Sequence, residues 1–315
     1  MTEPTIKDVR EAAERIRPFV HRTPVLTCGT LNRMCNAELF FKCENFQKVG
    51  AFKFRGAANT VFSLSEEEAS RGVATHSSGN HAQALALAAR LRGILAHIVM
   101  PENSPKVKVA AVRGYGARIV FCPPTQRDRE QTLERVVGQT GATFIHPYNN
   151  LGIIAGQGTC ALELLEQVSD LDMVMAPVGG GGLLSGTALS CHYLRPELRV
   201  IAAEPKGADD AFRSLRDGRI YPSENPRTVA DGLRTSLGTL TFPIIRRYVE
   251  RIVTVGENSI VAAMRAVWER MKILIEPSAA VPLAGILEGN VEARDKRIGI
   301  ILSGGNLDLD TLPWL

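Results

Sequence analysis

The sequence predicts an α/β protein of two lobes, each a twisted, mostly parallel sheet flanked by helices. Three observations carry that prediction. The chain has 315 residues, more than the roughly 100–150 that one hydrophobic core usually serves. Short apolar runs alternate with longer segments of helical period, the order that produces parallel sheets covered by helices. Glycine and polar clusters fall directly after several of the apolar runs, where open α/β sheets bind their ligands.

In chain order, apolar runs at 39–43, 73–76, 97–100, 118–121, 173–177, 200–203, 252–255 and 298–302 are the expected strands. Segments 80–91, 105–115, 128–140, 156–168 and 259–271 are the expected helices. The strand–helix units within 72–149 suffice to close a small lobe, leaving 1–71 and 150–315 as a larger, discontinuous one. The chain shows no internal repeat or low-complexity tract, and 221–227 is its clearest surface loop.

Composition narrows the function classes. A net charge of +4 without a Lys/Arg run is too weak and too dispersed for nucleic acid as the main partner. A small anionic ligand stays compatible with it. No apolar stretch approaches the roughly 20 residues of a membrane helix. The start, Met1-Thr2-Glu3-Pro4, lacks the basic and apolar regions of a secretion signal. Cys28, Cys35, Cys43, Cys122, Cys160 and Cys191 include no CxxC pair and are expected as reduced, mostly buried thiols. The expected location is cytoplasmic.

Several segments carry candidate chemistry. Lys53 lies in Gly50-Ala51-Phe52-Lys53-Phe54-Arg55-Gly56-Ala57, where position alone does not separate it from a solvated helix lysine. In Thr75-His76-Ser77-Ser78-Gly79-Asn80-His81, hydroxyls and an amide sit beside free helix N–H groups. That suits a carboxylate and equally a helix cap. In Val178-Gly179-Gly180-Gly181-Gly182-Leu183, successive backbone N–H groups and the positive helix end suit a phosphate. Four consecutive glycines are costly in chain entropy, which weighs against a mere turn. A dinucleotide is the rival ligand, since Glu204 ends the next strand about 20 residues on. Against it, Leu184 or Ser185 stands where the last glycine of G-x-G-x-x-G belongs. Further on, in Glu204-Pro205-Lys206-Gly207-Ala208-Asp209-Asp210, two carboxylates and a loop carbonyl offer hard oxygen ligands for Mg²⁺ or Ca²⁺. Acids at a helix start are the plainer reading of that spacing. His97 is expected to be buried, and the remaining histidines show no metal-ligand spacing.

The Lys53 segment, the Ser-Ser-Gly-Asn-His loop, the glycine run and Ser303-Gly304-Gly305-Asn306 occur together and in order. From Ile16 to Asp308 the chain resembles the fold-type II pyridoxal-phosphate enzymes, the tryptophan synthase β-like fold. Within them it is similar to the serine racemase and threonine/serine/3-hydroxyaspartate dehydratase group. The resemblance implies that Lys53 binds pyridoxal 5'-phosphate through its amine and then acts as the base at the α-carbon. Only an amine forms such a link, and burial prepares it to accept a proton. By the same resemblance Phe52 packs beside the pyridine ring, and Gly179, Gly180, Gly181 and Gly182 with Leu183 cradle the phosphate. Asn80 bonds the phenolic oxygen, Glu276 lies near the cofactor, and Ser303 meets the pyridine nitrogen. A hydroxyl there weakens the ring as an electron sink, which favours prompt loss of a β-hydroxyl. The cofactor phosphate is the expected acid for that leaving group, and the products are a keto acid and ammonia.

The substrate, a small amino acid, would meet Ser77, Ser78, Gly79, Asn80 and His81 through its carboxylate. Ser78 is Ala in several threonine deaminases but Ser in the racemases and 3-hydroxyaspartate dehydratases. Its hydroxyl either acts as a second base, opposite Lys53, or orients the carboxylate. Arg129 aligns with an arginine of those enzymes and either reaches a second substrate carboxylate or is a solvated helix charge. The resemblance favours a divalent cation at Glu204, Ala208 and Asp210, implies a homodimer, and makes ATP an effector in some racemases. The expected activity is a dehydratase (ammonia-lyase) acting on serine, threonine, 3-hydroxyaspartate or a bulkier 3-substituted serine. Racemisation is the alternative. β-Replacement is less favoured, because such synthases typically carry a Thr-rich loop in place of Ser77–His81. A ligand-sensing module is the non-enzymatic rival.

Overall fold

The computed structural model describes residues 3–104 and 106–314. Pro105, the expected start of the helix at 105–115, lies outside them, as do Met1 and Thr2 of the chain's start. The strands are β1 (Val25–Leu26), β2 (Glu38–Cys43), β3 (Val73–His76), β4 (Ala96–Pro101), β5 (Arg118–Cys122), β6 (Thr143–Phe144), β7 (Met173–Pro177), β8 (Arg199–Pro205), β9 (Arg251–Val255) and β10 (Arg297–Leu302). They form two sheets, of order β1-β2-β10-β7-β8-β9 and β5-β4-β3-β6. Apart from the antiparallel β1–β2 pair, every pairing is parallel. The chain therefore builds the four-stranded sheet from its middle and the six-stranded sheet from both flanks.

Alternation along the strands divides the large core into two faces. Met173, Met175, Ile201 and Ile300 join one cluster with the helices Glu257–Met271 and Pro277–Leu287. Val174, Ala176, Val200 and Ile301 join the other with the helices Leu151–Gln167 and Gly182–Leu194. In the four-stranded sheet, Val73, Ile98 and Met100 pack against Ala82, Leu85 and Ala89 of the helix Asn80–Arg92. Phe54, Ala57, Ala58 and Val61 of the helix Lys53–Ser63 belong to the same cluster. This helix also crosses Leu151–Gln167 at touching distance: a Cβ on Gly156 would lie 2.6 Å from Gly56 Cα.

Element boundaries differ from expectation where caps decide them. The helix expected at 156–168 starts at Leu151, because the Asn150 side chain accepts from Ile153 N–H at 3.0 Å. The helix expected at 128–140 starts at Gln126, where Thr125 accepts from Asp128 N–H at 3.1 Å. Strands β1 and β6 have two residues each, too few to show an alternating pattern.

Candidate active site

Lys53 opens its helix directly after a turn in which Val49 and Gly50 both take positive φ. The segment is tied to the end of β10. Ala51 bridges Gly304, and Phe52 N–H donates to the Ser303 carbonyl at 3.0 Å. Ser303 is itself buried. The Lys53 side chain reaches out of this corner and donates through Nζ to the Pro147 carbonyl at 2.9 Å. Its ammonium lies 5.1 Å from the Phe52 ring centre. Lys53 keeps some contact with water, but burial lowers its pKa to about 8, with the charge of Glu276 opposing the shift.

The glycine run follows β7. Gly181, at φ +86, turns the chain into the helix Gly182–Leu194, whose first N–H groups have no partner within the helix. Gly180 is enclosed: a Cβ there would stand 2.3 Å from the Tyr148 ring. Its carbonyl accepts from Thr241 Oγ1 at 2.9 Å. Leu183, in the first turn of that helix, is buried. The result is a bare backbone cradle under an aromatic ring, of a kind that binds an anionic group.

The Ser77–His81 loop leaves β3 and enters the helix Asn80–Arg92. Ser77 N–H donates to the Val99 carbonyl at 3.1 Å, and Gly79 N–H to Ser77 Oγ at 3.3 Å. Asn80 Nδ2 donates to both Glu276 carboxylate oxygens, at 3.0 and 3.2 Å, while its Oδ1 accepts from Asn306 Nδ2 at 3.0 Å. Glu276 caps the helix Pro277–Leu287 by position, and its backbone N–H donates to the Gly304 carbonyl at 3.0 Å. Burial, then the charge of Asp231, raises its pKa to about 7. These bonds join the loop ends at Ser77–Asn80 and Ser303–Asn306 to Lys53's corner. The His81 ring turns inward, with Nε2 3.2 Å from the Ile145 carbonyl, and burial holds its pKa well below the usual imidazole range. His81 therefore offers a ligand its backbone N–H.

Arg129 lies in the first turn of the helix Gln126–Thr140, half-buried, with Nε enclosed and unpartnered. It lies near enough to His76 for its charge to add to the burial that lowers the His76 pKa, against the opposing charge of Glu130. Glu204 and Asp210 are both buried. Glu204 accepts from the N–H groups of Ala211 and Phe212 at 3.0 and 2.8 Å, whereas neither Asp210 carboxylate oxygen has a partner. Burial, joined by Asp210, pushes Glu204 up to about 9, and burial pushes Asp210 to about 6. Two carboxyls are thus buried close together, and burial favours the protonated form of Glu204 near neutral pH. Among the described residues no three His, Cys, Asp or Glu side chains converge, so a cation here would draw on these two carboxylates, a carbonyl such as that of Ala208, and water.

Two participants carry no motif signal. Pro147 contributes a carbonyl and Tyr148 a ring, both from the connection between β6 and the helix Leu151–Gln167. The turn-rich string His146-Pro147-Tyr148-Asn149-Asn150 is the one sequence clue to them.

Comparison with known proteins agrees with this geometry. Residues 16–304 match the family described as pyridoxal-phosphate dependent enzyme. The chain is 52% identical over 311 residues to the beta-hydroxyaspartate dehydratase of Paracoccus denitrificans, covering 99% of both chains. It is 51% identical to the serine racemase of Dictyostelium discoideum, covering 99% of this chain and 98% of that one. The structure of maize serine racemase superposes with a TM-score of 0.97 at 48% identity, covering 99% of this chain and 96% of that one. Among the described residues no helix is long and apolar enough to cross a membrane.

Proposed function

The chain belongs to the pyridoxal-phosphate dependent enzymes, and on that premise we propose that it eliminates water from a small β-hydroxy amino acid, releasing a keto acid and ammonia. Racemisation of an amino acid is the second outcome open to the same site. Relatives of about half identity carry each activity in their names, beta-hydroxyaspartate dehydratase and serine racemase. The observation that carries the proposal is an amine with its pKa lowered to about 8, at the corner joined to the serine-rich and Ser303–Asn306 loops and bonded to the segment that covers the glycine cradle.

The residues fit the cofactor. Gly179, Gly180, Gly181, Gly182 and Leu183 would hold its phosphate, Lys53 its aldehyde carbon, Asn80 its phenolic oxygen and Ser303 its ring nitrogen, with Phe52 and Glu276 beside it. When bound, pyridoxal phosphate supplies the sink for the electron pair left at the α-carbon. Lys53 Nζ takes the α-proton, a task suited to an amine whose pKa, lowered to about 8, lies closer to neutral pH than that of an ordinary lysine. The Ser77, Ser78 and Gly79 segment and the N–H groups of Asn80 and His81 orient the substrate carboxylate. Ser78 Oγ serves the opposite face of the α-carbon, where a second base permits racemisation. Arg129, with Nε buried and unpartnered, pairs with a second substrate carboxylate, which favours 3-hydroxyaspartate.

The reading extends to a Mg²⁺ or Ca²⁺ ion at Glu204, the Ala208 carbonyl and Asp210, supported by the two raised carboxylates. It also includes a homodimer, an ATP response, a cytoplasmic location and movement of 72–149 against the remainder. The test is to incubate the purified enzyme with both enantiomers of serine, threonine, 3-hydroxyaspartate and 3-phenylserine, measuring keto acid and chirality. Keto acid from a β-hydroxy substrate is expected. Thioether formation from serine and a thiol, without keto acid, would replace elimination by β-replacement.

A further inference from the structure

Arg55 is the largest fully buried side chain among the described residues. It follows Lys53 by two positions on the helix Lys53–Ser63, a rotation of about 200°. The two cations thus leave opposite sides of one helical turn. Nε and Nη2 of Arg55 donate to Glu44 at 2.7 and 2.8 Å, and Nη1 and Nη2 to Glu163 at 2.7 and 2.8 Å. Nη1 also reaches Thr159 Oγ1 at 3.2 Å. Lys42 closes the cluster by donating to Glu163 Oε2 at 2.7 Å, the Thr23 carbonyl at 2.8 Å and Gln167 Oε1 at 2.8 Å. Lys42, Arg55 and Glu44 are entirely buried and Glu163 nearly so.

We infer that Arg55 is a positioning residue for Lys53, clamping the first turn of its helix to the large lobe through Glu44 and Glu163. The first turn of a helix lacks intrahelical partners for its N–H groups and is the turn most prone to fray. A planar guanidinium held by two carboxylates removes that freedom in a way an ammonium cannot. Two cations face two carboxylates, so the cluster is neutral as a whole and fixes Lys53 without adding net charge beside it. Stability alone is a poor explanation, since buried ion clusters are often replaced by apolar side chains at little or no cost.

This inference rests on Lys53 carrying the cofactor, and the experiment separates the two. Holoenzymes of the unaltered protein, Arg55→Lys, Glu163→Gln and Lys42→Met are reduced with borohydride. The share of Lys53 joined to cofactor is read by peptide mass spectrometry, beside kcat, KM and melting temperature. In Arg55→Lys the trapped share falls and kcat drops by about 10²-fold with KM little changed, the scale of a misplacement near 1 Å. Glu163→Gln shifts both in the same direction by less, and it decides the matter if Arg55→Lys does not fold. Lys42→Met, off the helix, lowers the melting temperature while Lys53 is trapped as in the unaltered enzyme. Folded Arg55→Lys or Glu163→Gln with normal trapping and kcat overturns the inference, as does Lys42→Met if it lowers trapping as much as Arg55→Lys. Failure to trap Lys53 in the unaltered enzyme overturns the cofactor assignment itself, and this inference with it.

Discussion

Around Gly180 there is no space for one more methyl group, with the Tyr148 ring 2.3 Å from where a Cβ would stand. Around Gly79, in the loop that follows β3, a Cβ would meet nothing within 4 Å. The glycine run is held by Thr241 and roofed by Tyr148, whereas Ser77–Gly79 makes few bonds beyond the end of β3. A site for a permanent cofactor is built in advance, since preorganisation removes the ordering cost of binding. A site for a transient substrate keeps room to close on its ligand.

Lys53 lies between the two and supplies the largest expected effect. Lys53→Ala should lower kcat/KM by about 10⁴-fold or more, the upper range for loss of a positioned base. Competitive acetylation of Lys53 in cofactor-free protein should be half-complete near pH 8, the amine being free above that pH and protonated below it. A midpoint near 10.5, its unshifted value, would show that burial does not tune it. Next in size, Ser78→Ala should cost racemisation about 10²-fold or more while elimination from one enantiomer persists. Unchanged racemisation would reduce the small-lobe loop to carboxylate binding alone.

The contrast in packing has its own pair of variants. Gly180→Ala should weaken cofactor binding by about 10–100-fold, because overpacking costs about 1–3 kcal/mol. Gly79→Ala should leave cofactor affinity unchanged and stability within about 0.5 kcal/mol. Equal effects in spectroscopic titrations of the cofactor would erase the distinction between the loops. The smallest effect concerns the cation. Mg²⁺ or Ca²⁺ at about 100 times its Kd should stabilise the fold by about 2.7 kcal/mol. Melting curves with metal and with chelator read this directly, and coincident curves would leave Glu204 and Asp210 as a helix-start feature.

What could be read in the sequence is what local rules write there. Strands such as Met173–Pro177 are continuous apolar runs, and the loops that follow them carry glycine or capping residues. The helix Pro277–Leu287 is harder, because Pro282 interrupts its interior pattern although Pro277 suits its first turn. Tyr148 is illegible for another reason: a ring after a short strand becomes a lid only when the glycine run arrives beneath it. Arg55 reads as one more charged residue on a helix, since its partners Glu44 and Glu163 are 11 and 108 positions away. Asp210 resembles any acid at a helix start until its burial without partners is seen.

The seat of β10 has a consequence for how the molecule is made. It lies between β2 and β7, so the first two strands of the large sheet join the rest only through the last one. Ser303 and Gly304, which fasten the Lys53 segment, come directly after that strand. On the ribosome, Lys53 emerges roughly 250 residues before its anchor, and at about 5–20 residues per second it waits some tens of seconds. Throughout that interval the nascent chain lacks the corner that fastens the Lys53 segment. A messenger cut short before residue 303 should therefore yield no partly active enzyme, only a chain with an unfastened lysine and an open sheet edge for chaperones to cover.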